Sequence, residues 1–150
     1  MRLPEDWQAL LVQLLSVPGM LVAYYLLLFH NGVLFTTCSV SELWDCGEVS
    51  GPTAPYASIG PVPVALIGLV GYLAIFGVIW LRDWVPVVDE NLPELLTGLV
   101  GLAFLFTLGL TLLEAFVIGS FCQFCLISAG IILVMTVLTI HYLRSSRRTV

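Results

Sequence analysis

Between Leu95 and Ile140 the chain carries a single charged residue, Glu114. As one helix this stretch would be about 69 Å long, more than twice the roughly 30 Å hydrocarbon core of a bilayer. It offers water no polar face, so it reads as two membrane-crossing helices folded back on each other. Gly119-Ser120 is the break that leaves two full spans, at 93–118 and 121–143. Ser120 and Gln123 form a capping-box pattern at the start of the second.

Two further spans precede these, at 8–29 and 62–81. The first is too long for a cleavable leader, has acidic rather than basic residues ahead of it, and lacks a small-residue cleavage site. Pro4, Glu5 and Asp6 suit a helical first turn, and Pro18-Gly19 predicts a kink. Gly68, Gly71 and Gly77 give the 62–81 span a small-residue face for close helix approach. Asn91 is placed to cap the following helix, with Pro93 and Glu94 in its first turn. With 59% hydrophobic and 10% charged residues, the chain is excluded as a water-soluble domain, a disordered tail or a basic nucleic-acid binder. The expectation is an all-α membrane protein, a four-transmembrane-helix bundle forming one integral-membrane domain over 1–150, with the lipid bilayer and no nucleic acid as partner.

Residues 30–61 form a polar connection that is long for so small a bundle, and long loops are commonly functional. Leu43 and Trp44 suggest a short amphipathic turn within it. Four spans put both termini on one side, and all five arginines (Arg2, Arg82, Arg144, Arg147 and Arg148) fall on that side. The 30–61 loop and the 118–120 turn contain no Lys or Arg. Positive charge stays in the cytoplasm, so the termini are expected there and the long loop on the exoplasmic side.

The topology has a consequence for the four cysteines. Cys122 and Cys125, in Cys122-Gln123-Phe124-Cys125, lie at the start of the last span, one helical turn apart and within disulfide reach. The helix N-terminus should favour the Cys122 thiolate. Cys38 and Cys46 lie in the long loop, so both pairs meet at one membrane surface. Three readings follow. One pair passes electrons to the other; the four hold a structural zinc, which the C-x7-C spacing of Cys38 and Cys46 fits poorly; or two disulfides merely staple a non-enzymatic membrane protein.

The pattern resembles the vitamin K epoxide reductase family in its bacterial branch. The likeness lies in the order of motifs: C-x7-C after span one, Tyr56-Ala57 and Gly60-Pro61-Val62-Pro63-Val64 entering span two, then Leu113-Glu114-Ala115-Phe116-Val117-Ile118 running into Cys122-x-x-Cys125. It covers residues 10 to 143. The other quinone-linked disulfide-forming oxidase of bacteria, also a four-span protein, has its C-x-x-C after span one and is the second choice.

The resemblance implies a quinone of menaquinone or ubiquinone type near the C-x-x-C, no metal, and an exported thioredoxin-like partner. Its place would be the cell inner (cytoplasmic) membrane. Many family members carry that thioredoxin-like domain after the last span; this chain ends seven residues past Leu143, so the partner is expected to be separate. The family's Ser or Thr near the quinone has no exact counterpart. Pro52 or Ala54 stands there, and Thr53 and Ser58, or Ser50, are the substitutes. Expected quinone contacts are Cys125, Glu114, Phe121, Thr53 and Ser58. Cys38 should meet the partner, Cys46 should exchange with Cys122, and Cys125, one turn deeper, should face the quinone. Glu114 is weighed as a redox or proton group against a carboxylate that only caps backbone amides. His30 reads as an interface residue rather than a base.

Overall fold

The computed structural model describes residues 7–35, 38 and 41–148. Arg2 and the first-turn residues Pro4, Glu5 and Asp6 lie outside these. Four helices are long and apolar enough to cross a membrane. They are α1 (Trp7–His30), α3 (Val64–Leu81), α5 (Leu92–Leu113) continued by a π-helical turn (Glu114–Ile118), and α6 (Gln123–Arg148). Two short helices, α2 (Cys46–Ser50) and α4 (Pro86–Glu90), and a hairpin of β1 (Ser58–Ile59) with β2 (Val62–Pro63) fill the connections. The protein is an all-α, multi-pass membrane bundle.

The four long helices form a ring in which α1 packs on α3 and α6, and α5 packs on α6 and α3. Each helix is apolar nearly all round, as expected where the surroundings are lipid. Leu21, Leu73, Leu105 and Val137 accordingly stand exposed on the outside of the ring. Inside, one apolar cluster joins Val12, Ile75, Leu96, Val100 and Met135. A second, at the end of the bundle that carries the 30–61 loop, joins Leu26, Phe29, Val49, Cys38, Cys46 and Cys122. At the opposite end Arg147 lies 3.8 Å from Glu94, and Arg82 lies 3.8 Å from Asp89. The described arginines thus share one end.

Several local expectations are corrected. The chain enters α3 through the β1–β2 hairpin, so the span begins at Val64 rather than residue 62. Gly68, Gly71 and Gly77 do not bring helices close: a Cβ at any of them would meet nothing within 4 Å. The close approach is instead at Gly19, where an added Cβ would run into the ring of Tyr72. Asn91 makes no side-chain cap; its amide group donates to the Val87 carbonyl at 2.9 Å. Pro18 lies inside helix α1, which spans 24 residues from Trp7 to His30. Helix α2 starts after Trp44, with the Asp45 carboxylate accepting from the Gly47 amide at 2.7 Å. The turn expected at Leu43 and Trp44 is present: Glu42 and Leu43 form it, and the Trp44 amide donates to the Ser41 carbonyl at 3.0 Å.

Candidate active site

The C-x-x-C sits where α5 hands over to α6. The π-helical turn closes on Gly119, whose φ of 74° is a left-handed conformation suited to glycine. Its amide donates to the Glu114 carbonyl at 2.9 Å. The chain then pairs with the long loop. Phe121 N–H donates to Leu43 C=O at 2.8 Å, and Trp44 and Phe121 form a parallel bridge with their rings in contact. Ser120 does not cap α6 as the capping-box pattern suggests. Its hydroxyl donates to the Glu48 carboxylate at 2.8 Å and reaches the Glu42 carbonyl at 3.2 Å, tethering the loop to the start of α6.

This docking brings the cysteines together. Cys38 and Cys46 are joined in a disulfide with Cα atoms 5.7 Å apart, whereas Cys122 and Cys125 are free thiols. Cys122 Sγ lies 3.5 Å from Cys46 Sγ, close to van der Waals contact. Both of these residues are 0% exposed, while Cys38 retains 9%. The Cys46 and Cys122 sulfurs therefore face each other out of contact with water. With Cys38 and Cys46 bonded to each other, four thiolates are not together available for zinc. No group of three or more His, Cys, Asp or Glu among the described residues is placed to hold a metal.

Cys122 is the residue immediately before α6, and its carbonyl accepts the Leu126 amide at 3.0 Å. Its thiol is held below the ordinary range chiefly by the hydrogen bond from the Cys125 thiol, with Ser50 assisting, against burial and the Glu114 charge. The helix N-terminus singled out from sequence is thus joined by neighbouring sulfur and hydroxyl donors. Glu114 is 3% exposed, and its carboxylate accepts from the Cys122 amide at 3.4 Å. It satisfies the backbone at the C-x-x-C while standing beside both thiols.

Ser50, at the end of α2, lies 3.5 Å from Cys125 Sγ and 3.9 Å from Cys122 Sγ. It is the hydroxyl nearest the pair. The signal for it was present: Asp45-Cys46-Gly47-Glu48 reads as a cap and first helical turn, which puts Cys46 and Ser50 on one face. Thr53 is exposed, Ser58 lies in β1, and Phe121 packs on Trp44.

A cavity of about 360 Å³ opens beside Cys125 and runs into the bundle. Ser50, Tyr56, His30 and Glu114 line it near the cysteines; Gly68, Gly71, Leu99, Leu102 and Phe106 line it deeper, between α3 and α5. Thr53, Ser58 and Phe121 are not part of its wall. The wall is mainly apolar, with polar side chains both near the loop end and deeper, at Tyr72, Thr107 and Ser128. The vitamin K epoxide reductase family model matches residues 10–140.

The chain belongs to the vitamin K epoxide reductase family.

Membership makes it a membrane thiol–disulfide oxidoreductase of a quinone-linked family. No curated protein matches it. The residues present fit the family's quinone. The cavity is mainly apolar, large enough for an aromatic ring with part of an isoprenoid chain, and has an oxidisable thiol, Cys125, in its wall. In this vitamin K epoxide reductase family member the hydroxyl beside the C-x-x-C is that of Ser50.

Proposed function

We propose that the protein oxidises the dithiol of an exported thioredoxin-like protein and passes the electrons to a membrane quinone of menaquinone or ubiquinone type. The observation that carries this reading is the 3.5 Å approach of Cys122 to a disulfide-bonded Cys46, with Cys125 on the cavity side. Each transfer is a thiolate attack on a disulfide. The partner's thiolate attacks Cys38, the more accessible end of the loop disulfide, and the partner leaves oxidised. The reduced Cys46 then attacks Cys122 of an oxidised Cys122–Cys125 pair, and Cys38 closes the new bond. Quinone supplies the oxidant that restores the Cys122–Cys125 disulfide: two electrons and two protons leave the dithiol and appear in the quinol. Glu114 and Ser50 hold the thiols in place for that last step, and the apolar wall excludes water from it.

Anaerobic mixing of the purified protein, a reduced thioredoxin-like protein and a soluble quinone, followed optically, tests the reading. Quinol should form in proportion to partner disulfide. Partner and quinone that remain unchanged would count against it. A membrane scaffold with structural disulfides, the competing idea, would keep its bonds under mild dithiol and ignore quinone supply.

The same reading puts the cysteines on the exoplasmic face of the inner membrane, supported by the shared end of Arg82, Arg144, Arg147 and Arg148. An impermeant thiol reagent applied to reduced intact cells should label a single-cysteine Cys38 variant. A cysteine introduced at Asp89 should be spared. The reverse pattern would invert the topology.

A further inference from the structure

We propose that His30 donates a hydrogen bond from Nε2 to the quinone ring oxygen remote from Cys125, an assignment that rests on the quinone-reducing function above. His30 is the last residue of α1 and lines the cavity that also holds Cys125, Ser50 and Glu114. Its Nδ1 is buried and has no hydrogen-bond partner. A buried N–H without an acceptor is costly, so a neutral imidazole sealed at Nδ1 carries its proton on Nε2. The ring is then a donor at the cavity wall.

Most other polar groups of the wall are already committed, and Tyr56, 46% exposed, can turn its hydroxyl to water. Ser50 faces the two cysteines, and Glu114 accepts from the Cys122 amide. Tyr72 and Ser128 bond each other at 2.8 Å, and Thr111 donates to the Thr107 carbonyl at 3.0 Å. Thr107 lies two helical turns below Glu114 along α5. His30 is left near the cysteines with an uncommitted hydrogen.

A quinone has two carbonyl oxygens on opposite sides of its ring. With one turned to Cys125, the other needs a donor elsewhere on the wall. During reduction the Cys122 and Cys125 thiols join in a disulfide, and the two electrons and two protons they lose become those of the quinol. Negative charge develops on both oxygens on the way. A donor fixed at the remote oxygen stabilises that charge without reorganising.

The experiment compares wild-type protein, His30→Phe and His30→Gln, with carbonyl-labelled menadione as the probe. Infrared difference spectra report the carbonyl stretches of the bound ring, and anaerobic quinol formation reports the rate. Wild type should show one carbonyl band lowered by a hydrogen bond that His30→Phe loses. Quinol formation in His30→Phe should fall by about three- to tenfold, the scale of one lost hydrogen bond. His30→Gln, which keeps a donor, should recover most of both. Exchange between Cys46 and Cys122, read by thiol trapping, should stay unchanged in both variants and so certify their fold. A lowered band and wild-type rate in His30→Phe would overturn the assignment alone. A wild-type protein that reduces no quinone would overturn the proposed function, and this assignment with it.

Discussion

Cys125→Ser should accumulate a disulfide between Cys46 and Cys122 and lose quinone reduction to background. Cys122 Sγ already lies 3.5 Å from Cys46 Sγ, so about 1.5 Å of movement completes a bond of disulfide length. Attack by the Cys122 thiolate on Cys46 expels Cys38. In the native protein this mixed disulfide is resolved from both sides, by Cys38 attacking Cys46 and by Cys125 attacking Cys122; serine removes the second route, so the species accumulates. Serine keeps a hydroxyl donor beside Cys122, where the Cys125 thiol supplied the strongest influence favouring the thiolate. Trapping should therefore proceed near neutrality and quicken further as rising pH completes ionisation of the thiol. Non-reducing peptide mapping across a pH series reads both effects. An intact Cys38–Cys46 bond beside a free Cys122 at alkaline pH would show that these two sulfurs do not exchange.

Gly71→Leu should reduce quinone turnover more than tenfold and leave thiol exchange intact. A Cβ at Gly71 meets nothing within 4 Å, and the residue lines the cavity between α3 and α5. The added side chain therefore enters space that the ring and its chain require, without forcing the backbone. Helix propensity improves by roughly 1 kcal/mol on leaving glycine, so the fold should hold. Gly19→Leu makes the contrast, because there the new side chain meets the Tyr72 ring. Overpacking of this kind costs about 1–3 kcal/mol, and stability should fall. Thermal unfolding in detergent and quinol formation, measured on both variants, separate the two outcomes. Full quinone turnover in Gly71→Leu would mean that the cavity is not the quinone site.

Charge and periodicity made the bundle legible. A 46-residue stretch with one carboxylate admits few solutions, and arginines confined to one set of loops follow from the same spans. The meeting of two cysteine pairs at one surface follows from topology alone. What stayed hidden depends on contacts between segments distant in the chain. Ser120 fits a capping box by spacing, yet the Glu48 carboxylate, 72 residues away, claims its hydroxyl. The glycines of α3 fit a packing stripe, but whether missing side chains bring helices together or leave a hole depends on what stands opposite. At Gly19 it is an aromatic ring, and at Gly68 and Gly71 it is open space. Spacing did not separate Ser50 from Thr53 and Ser58 for a different reason: the short α2 helix is set by an Asp45 cap in a segment otherwise read as loop, and its periodicity puts Ser50 beside the cysteines.

The bridge between Trp44 and Phe121 turns chemistry into a matter of counting. Cys46 stands two residues beyond one anchor and Cys122 one residue beyond the other, so chain length from a shared fastening governs the approach of their sulfurs. Many side-chain changes around the bridge leave that count alone. A one-residue insertion between Trp44 and Cys46 alters it and turns the Cys46 side chain away from its counterpart, however well the rest of the bundle folds. Natural variation here is therefore expected as substitutions rather than gaps, and loop grafts between such proteins should keep the lengths from Trp44 to Cys46 and from Phe121 to Cys122.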